Sequence, residues 1–259
     1  AAMLIALVAA IMAVFTVSES APVQLAGTAG LVLVTFLGWV IVRFAAPYLA
    51  GEPCQKRFLC GVSITLASAA LVSTTDNLAV LALAWSATSL GLQPLLTLYP
   101  RRPRAERAAH KHFMSARLAD ITMLGAVVLI AWHSGSLSLT ALSAAPVVTP
   151  MPTGLTLAAM LLAITAIVRC AMLPLHGWVL QVMEAPTPVS ALLHAGVVNL
   201  GGLVLIKMAW LINQSWAAQW LLLLAGGLST AIAAVAMIAQ SNIKVRLAWS
   251  TCAQMGFML

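Results

Sequence analysis

Of the chain's 259 residues, 62% are hydrophobic and only 7% are charged, and the formal net charge is +7. A soluble domain of this length carries several-fold more charge, so the composition excludes a soluble enzyme and describes a multi-pass, all-α membrane protein. The basic residues lie mostly in short connections between apolar runs, with no basic face interleaved with aromatics; this excludes nucleic acid as a partner and leaves the lipid bilayer as the surrounding phase.

A hydrocarbon core takes roughly 20 apolar residues per helix. On that measure the chain predicts spans at 2–17, 26–47, 58–74, 77–99, 111–131, 153–172, 188–212, 217–239 and 243–259. It begins on Ala1 and ends on Leu259 inside an apolar run, so a piece of a longer subunit is expected. The third and fourth spans are separated by a tight turn at Thr75-Asp76. Asp76 is expected to be the N-cap of the following helix, with an ion-pathway role as the alternative. Loop charges alternate along the chain. The connections at 18–25, 75–76, 132–152 and 213–216 hold no Lys or Arg. The connections at 48–57 and 100–110 hold Lys56 and Arg57, then Arg101, Arg102, Arg104 and Arg107, and Lys244 and Arg246 follow the 217–239 span. The basic loops are therefore expected on the cytoplasmic side of the inner (plasma) membrane. Residues 133–152 read as a long surface loop on the outer side.

Cys54, Cys60, Cys170 and Cys252 are scattered, with no CxxC pair. Neither a zinc site nor a disulfide framework is expected, and no cofactor is assigned to this chain.

Ionisable groups inside apolar runs are the candidate site, because a charge at bilayer depth is expensive and tends to be functional. Arg117 and Asp120 are three apart on one helix face and are expected to pair, either as a structural pair or as part of a polar axis. Arg169 lies near the end of the 153–172 span. Its guanidinium does not release a proton, so it reads as a fixed charge that tunes neighbours, or else as an interfacial snorkelling arginine. Pro174 then interrupts the chain, followed by His176 and Glu184. Residues 183–196, MEAPTPVSALLHAG, place two prolines and a carboxylate before His194. Broken helices leave backbone groups that hold water, and a histidine beside them can pass a proton; the alternative is a neutral histidine bonded between helices. Glu184 is expected either to exchange protons with His194 through water or to pair with Arg169. Lys207, nearer the other end of the 188–212 span, suits snorkelling or function equally.

The run LPLHGWVLQVMEAPTPVSALLHAG at 173–196 resembles the signature of the antiporter-like membrane subunits of respiratory complex I and Mrp-type cation/proton antiporters. Two further stretches match that family in order: KHFMSARLAD at 111–120 and QSNIKVRLAWSTCAQMGFM at 240–258. Together the matches cover roughly 57–259. The resemblance implies a helix bundle with inverted repeats, the first at 57–212 and a second, incomplete, over 213–259, preceded by N-terminal transmembrane helices at 1–56. It adds Lys111 and Lys244 to Arg117, Asp120, Arg169, His176, Glu184, His194 and Lys207 as ion-pathway candidates. Two departures stand out. Complex I members carry a glutamate after the tryptophan where this chain has Trp85-Ser86, and Arg169 replaces the broken-helix lysine. LAWSATSLGL at 83–92, YLAGEPCQKRF at 48–58 and HAGVVNLGG at 194–202 are similar to the DabB-type branch, the membrane subunits of inorganic carbon accumulation complexes. That similarity implies a cation-translocating (proton) subunit working with a large zinc-containing DabA-like partner, with zinc in the partner and none here. The alternative is a proton-translocating subunit of a quinone-reducing complex I-type or Mrp-type complex. A third reading is a purely structural membrane anchor for a catalytic partner.

Overall fold

A computed structural model describes residue 11 and residues 22–99, 103–145, 150–182 and 185–259. The expected span at 2–17 therefore falls almost wholly outside the described residues, as do Arg101, Arg102 and Glu184. In chain order the helices are α1 (Pro22–Tyr48), α2 (Gln55–Thr74), α3 (Leu78–Leu96), α4 (Pro103–Ser134), α5 (Leu139–Ala144), α6 (Thr153–Arg169), α7 (Gly177–Gln181) and α8 (Thr187–Leu192). A π-helical turn over Leu193–Val197 leads to α9 (Leu200–Lys207), α10 (Ala209–Ile212), α11 (Trp216–Ile238) and α12 (Ile243–Met258). Among the described residues, α1 (from Gln24), α2, α3, α4 and α11 are long and apolar enough to cross a membrane.

The bundle is turned out toward hydrocarbon. Leu83, Ile121, Val128, Leu223 and Val235 are exposed, whereas the helix contacts are rich in alanine, such as Ala84, Ala116, Ala119, Ala159 and Ala163. Lipid is as apolar as leucine, so close packing of small side chains holds such helices together. Gly226 on α11 and Gly256 on α12 show how close the approach is: a Cβ on either would strike the other's carbonyl oxygen. Neighbouring helices pair in sequence, α2 on α3 and α11 on α12, while α6 packs on α4 and on α11.

Three expectations are corrected by the structure. First, Asp76 is not the cap of α3. Asn77 is, its side-chain oxygen accepting from the amides of Ala79 and Val80 at 2.9 and 3.3 Å. Asp76 instead reaches across to the 135–145 segment. It accepts from the Thr140 amide at 2.9 Å and from the Ser138 and Thr140 hydroxyls at 2.5 and 3.1 Å. Second, residues 133–152 are not simply a loop. α4 continues to Ser134, and α5 follows with Leu139 and Leu142 buried under it. A short antiparallel bridge, Leu78 N to Leu137 O (2.8 Å) and Leu139 N to Asp76 O (2.7 Å), ties this segment to the α2–α3 turn. Third, 188–212 is not one helix. The π turn, with Val198 N bonded to Leu193 O at 3.2 Å, breaks it, and a further irregularity at Met208 separates α9 from α10.

The Asp76 clasp makes a direct expectation. Asp76→Ala removes the acceptor for the Thr140 amide and should loosen α5 by about 1 kcal/mol. Hydrogen exchange at Thr140 should then rise roughly fivefold while the α3 amides capped by Asn77 are unchanged.

Candidate functional site

The chain's central polar cluster is assembled by three helices around Asp120, near the middle of α4. One carboxylate oxygen, Oδ2, accepts from Arg117 Nη2 at 2.7 Å and from the Ser86 hydroxyl of α3 at 2.9 Å. The other, Oδ1, accepts from Nη2 of Arg169, the last residue of α6. Arg117 also donates to Ser89 Oγ at 2.8 Å, and its guanidinium stands 5.3 Å from the Phe113 ring centroid. The Arg169 guanidinium lies over the Trp85 ring at the same separation, 5.3 Å. The expected Arg117–Asp120 pair is thus present, and Arg169 joins it across the bundle. Arg169 is not snorkelling: its side chain is 9% exposed. Ser86, where the family resemblance leads one to look for a carboxylate, donates to the carboxylate that α4 supplies.

Beyond Arg169 the helix ends because the chain turns sharply. Ala171 takes a left-handed backbone conformation (φ 54°) and the Leu173–Pro174 peptide bond is cis. The amide of Leu173 donates to Ser229 Oγ on α11 at 3.1 Å, and the Cys170 thiol donates to the Val198 carbonyl at 3.8 Å. These bonds answer the backbone groups that a broken membrane helix leaves open.

The remaining candidates are distributed, not gathered. His194 lies in the π turn, its Nδ1 3.0 Å from Thr251 Oγ1 on α12. The Thr251 hydroxyl also donates to Leu247 O at 3.0 Å. The arrangement that satisfies both bonds has Nδ1–H donating to Thr251. Nε2, buried without a partner, is then the open ring nitrogen. His176 sits just before α7 with its ring 5.0 Å from that of Trp249 on α12. Lys207 is 2% exposed and donates to the carbonyls of Val72, Ser73 and Thr75 at 2.9, 2.6 and 3.2 Å. It is a cationic cap on the C-terminus of α2, where the helix dipole favours positive charge, and it does not reach the interface as a snorkelling lysine would. Lys111 is exposed on α4 and forms no ion pair among the described residues. Lys244, at the start of α12, lines a cavity of about 900 Å³ together with Arg104, Arg107 and Gln181, at the opposite end of the bundle from Lys207. Among the described residues no group of His, Cys, Asp and Glu could hold a metal ion.

Sequence reasoning missed His112. It is 5% exposed, packs edge-on against Trp178 with ring centroids 4.7 Å apart, and borders the same small cavity as Arg169. In the sequence it is hidden within the run RAAHKHFM, where a histidine beside a lysine reads as part of a solvated helix end.

Residues 75–259 match the sequence profile of the NADH:quinone oxidoreductase/Mrp antiporter transmembrane family. The chain is 47% identical over 229 residues to a protein described as a probable inorganic carbon transporter subunit DabB of Hydrogenovibrio crunogenus, covering 88% of this chain and 44% of that protein. It is 43% identical to the subunit described as DabB2 of Halothiobacillus neapolitanus, over 88% of this chain and 41% of the relative. It is 31% identical to NADH-ubiquinone oxidoreductase chain 5 of Metridium senile, over 88% and 38%. The chain thus spans less than half the length of these relatives. Among solved structures, the Mrp complex of a Dietzia species aligns with a TM-score of 0.82 at 26% identity, covering 91% of this chain and 26% of its counterpart.

The cluster's energetics can be separated by substitution. Asp120→Asn keeps hydrogen-bonding shape but leaves two guanidinium groups without a counter-charge, which should cost about 3–5 kcal/mol. Ser86→Ala removes one donor to the carboxylate and should cost about 1.5 kcal/mol. Thermal unfolding of the detergent-solubilised protein should rank the two in that order.

Proposed function

From the premise that the chain belongs to the NADH:quinone oxidoreductase/Mrp antiporter transmembrane family, we propose that it is the cation-translocating, proton-coupled membrane subunit of an inorganic carbon transporter. The observation that carries this reading is the ranking of relatives. Identity is 47% and 43% to proteins described as inorganic carbon transporter subunits, against 31% to a respiratory chain 5 subunit over the same share of this chain. In this proposal the subunit works with a large zinc-containing DabA-like partner that performs the carbon chemistry, and the ion gradient supplies the drive. The alternative is an antiporter-like subunit of a quinone-reducing or Mrp-type complex, supported by the fold shared with the Mrp structure.

The residues support ion translocation in a specific way. Arg169 stays charged at any accessible pH, so it cannot itself carry a proton. Its role here is to hold a fixed charge beside Asp120 at the break in the bundle. A group that gains and loses a proton near neutrality is needed, and His194, with one nitrogen held by Thr251 and the other open, has that chemistry. Lys244 completes the proposed path toward the basic end, with Lys207 and Asp76 at the other, and Glu184 stays a candidate by its place in the sequence alone. The basic loops face the cytoplasm of the inner membrane in this proposal.

His194→Gln keeps the hydrogen bond to Thr251 but cannot titrate. It should abolish cation-driven inorganic carbon uptake while the complex still assembles; uptake that survives would make His194 a packing residue. For orientation, cysteines introduced at Arg104 and Arg107 should react with a membrane-impermeant thiol reagent in inside-out vesicles and not in intact cells. Labelling from outside intact cells would reverse the topology.

A further inference from the structure

The cavity of about 900 Å³ at the basic end of the bundle is lined by cations from two helices that lie far apart in the sequence. Arg104 and Arg107 come from the beginning of α4 and Lys244 from the first turn of α12. All three are exposed, and none of the described lining residues is acidic. Glu106, their neighbour on α4, does not line the cavity. Ser241, Asn242 and Gln181 supply the rest of its polar wall.

This gathering of like charge works against the helices that carry it. Arg104 and Arg107 are three apart on α4, a spacing at which like charges repel. All three cations stand near helix N-termini, where the macrodipole favours negative charge. Basic connections on one side of a membrane are ordinary, yet that preference does not require cations of two helices to share one cavity. An anion placed among them offsets both penalties.

The apolar part of the wall decides the kind of anion. Leu180, Ile243 and Val245 border the same cavity. Ile243 is 76% exposed, and Leu247, one turn further along the same face of α12, is 58% exposed. The cationic cavity therefore continues into an apolar helix face. A free inorganic anion would leave that face unused, and an acidic protein segment arriving from the aqueous side would meet the cations alone. The space also suits an organic group, for which sites of roughly 300–1,000 Å³ are usual, better than a bare ion. Basic pockets between membrane helices are where anionic lipid headgroups bind.

We propose that this cavity binds the headgroup of an anionic phospholipid, with Arg104, Arg107 and Lys244 around the phosphate and an acyl chain along Ile243 and Leu247. The site rests on the bundle's place in a membrane and not on the transport reading, so loss of either leaves the other intact.

The test uses the full-length protein, purified in a mild detergent and read by native mass spectrometry. With equal amounts of phosphatidylglycerol and phosphatidylcholine added, the protein should retain the anionic lipid in preference. Arg107→Gln and Lys244→Gln should each weaken phosphatidylglycerol retention roughly fivefold, the loss expected for one Lys or Arg beside an anionic lipid. Arg107→Lys keeps the charge and should restore most of the retention, which separates a binding effect from a folding defect. Lys56→Gln removes a cation at the start of α2, outside the cavity, and should leave the preference unchanged. Equal retention of the two lipids would overturn the proposal. So would a loss in Lys56→Gln as large as those in the cavity variants. A thermal midpoint raised as much by millimolar inorganic phosphate as by phosphatidylglycerol would make this a free-anion site and overturn the lipid assignment.

Discussion

A charge buried at bilayer depth must be balanced by something within reach, and in this chain the balancing group is Asp120. Its two oxygens gather α3 through Ser86, α6 through Arg169, and its own helix through Arg117. The pairs have a structural consequence. Arg169 is the last residue of α6, so fixing its guanidinium fixes the point where that helix stops and the turn toward α7 begins. Trp85 provides the floor on which the guanidinium rests. Arginine suits this place better than lysine because it is more weakly hydrated, stacks on an aromatic face and offers several donors in one plane.

The interrupted segments present the same problem at the level of backbone. Hydrocarbon offers no partner for an open amide or carbonyl, so each break must be answered from within the bundle. Ser229 of α11 accepts from Leu173, and Cys170 donates to the Val198 carbonyl next to the π turn. At the end of α2, the Lys207 ammonium serves three carbonyls at once. α9 is thereby pinned to α2 by a lysine, and the α2–α3 turn is pinned to α5 by Asp76. Two charges of opposite sign close this end of the bundle through backbone groups without an ion pair between them among the described residues.

The long spans were legible because hydropathy and length alone demand them; α1, α2, α3 and α11 fall within a few residues of expectation. The Arg117–Asp120 pair was legible because helical spacing sets both on one face. What the sequence hid was long-range. Arg169 meets Asp120 across 49 positions, and no local pattern announces it. Asp76 and Asn77 are both good caps by type, and the choice fell to Asn77 because a distant segment, Ser138 to Thr140, claims Asp76. The break within 188–212 escaped notice because the interruption is a π turn, not a proline, and hydropathy does not register a change of helical pitch. His112 was passed over because it follows Lys111 at a polar helix start, whereas in space it packs on Trp178 and borders the same small cavity as Arg169. Hydropathy averages over a window and cannot see that one face of such a stretch is buried.

Under the proposed function, proton movement is organised around a fixed charge. In a path whose central cation is an arginine, charge at that point is constant, so coupling must come from a change elsewhere that the constant charge can feel. His194 is placed for this. It occupies the π turn, and Nδ1 is tied to Thr251 of α12, the helix whose first turn carries Lys244. Gaining a proton at Nε2 would add charge to the turn adjoining Val198, whose carbonyl receives Cys170, the residue after Arg169. Between His194 and the Arg169–Asp120 pair stand the Cys170–Val198 thiol–carbonyl contact and the turn that ends α6, and under the proposed function these are the contacts through which a change at one would have to be felt at the other.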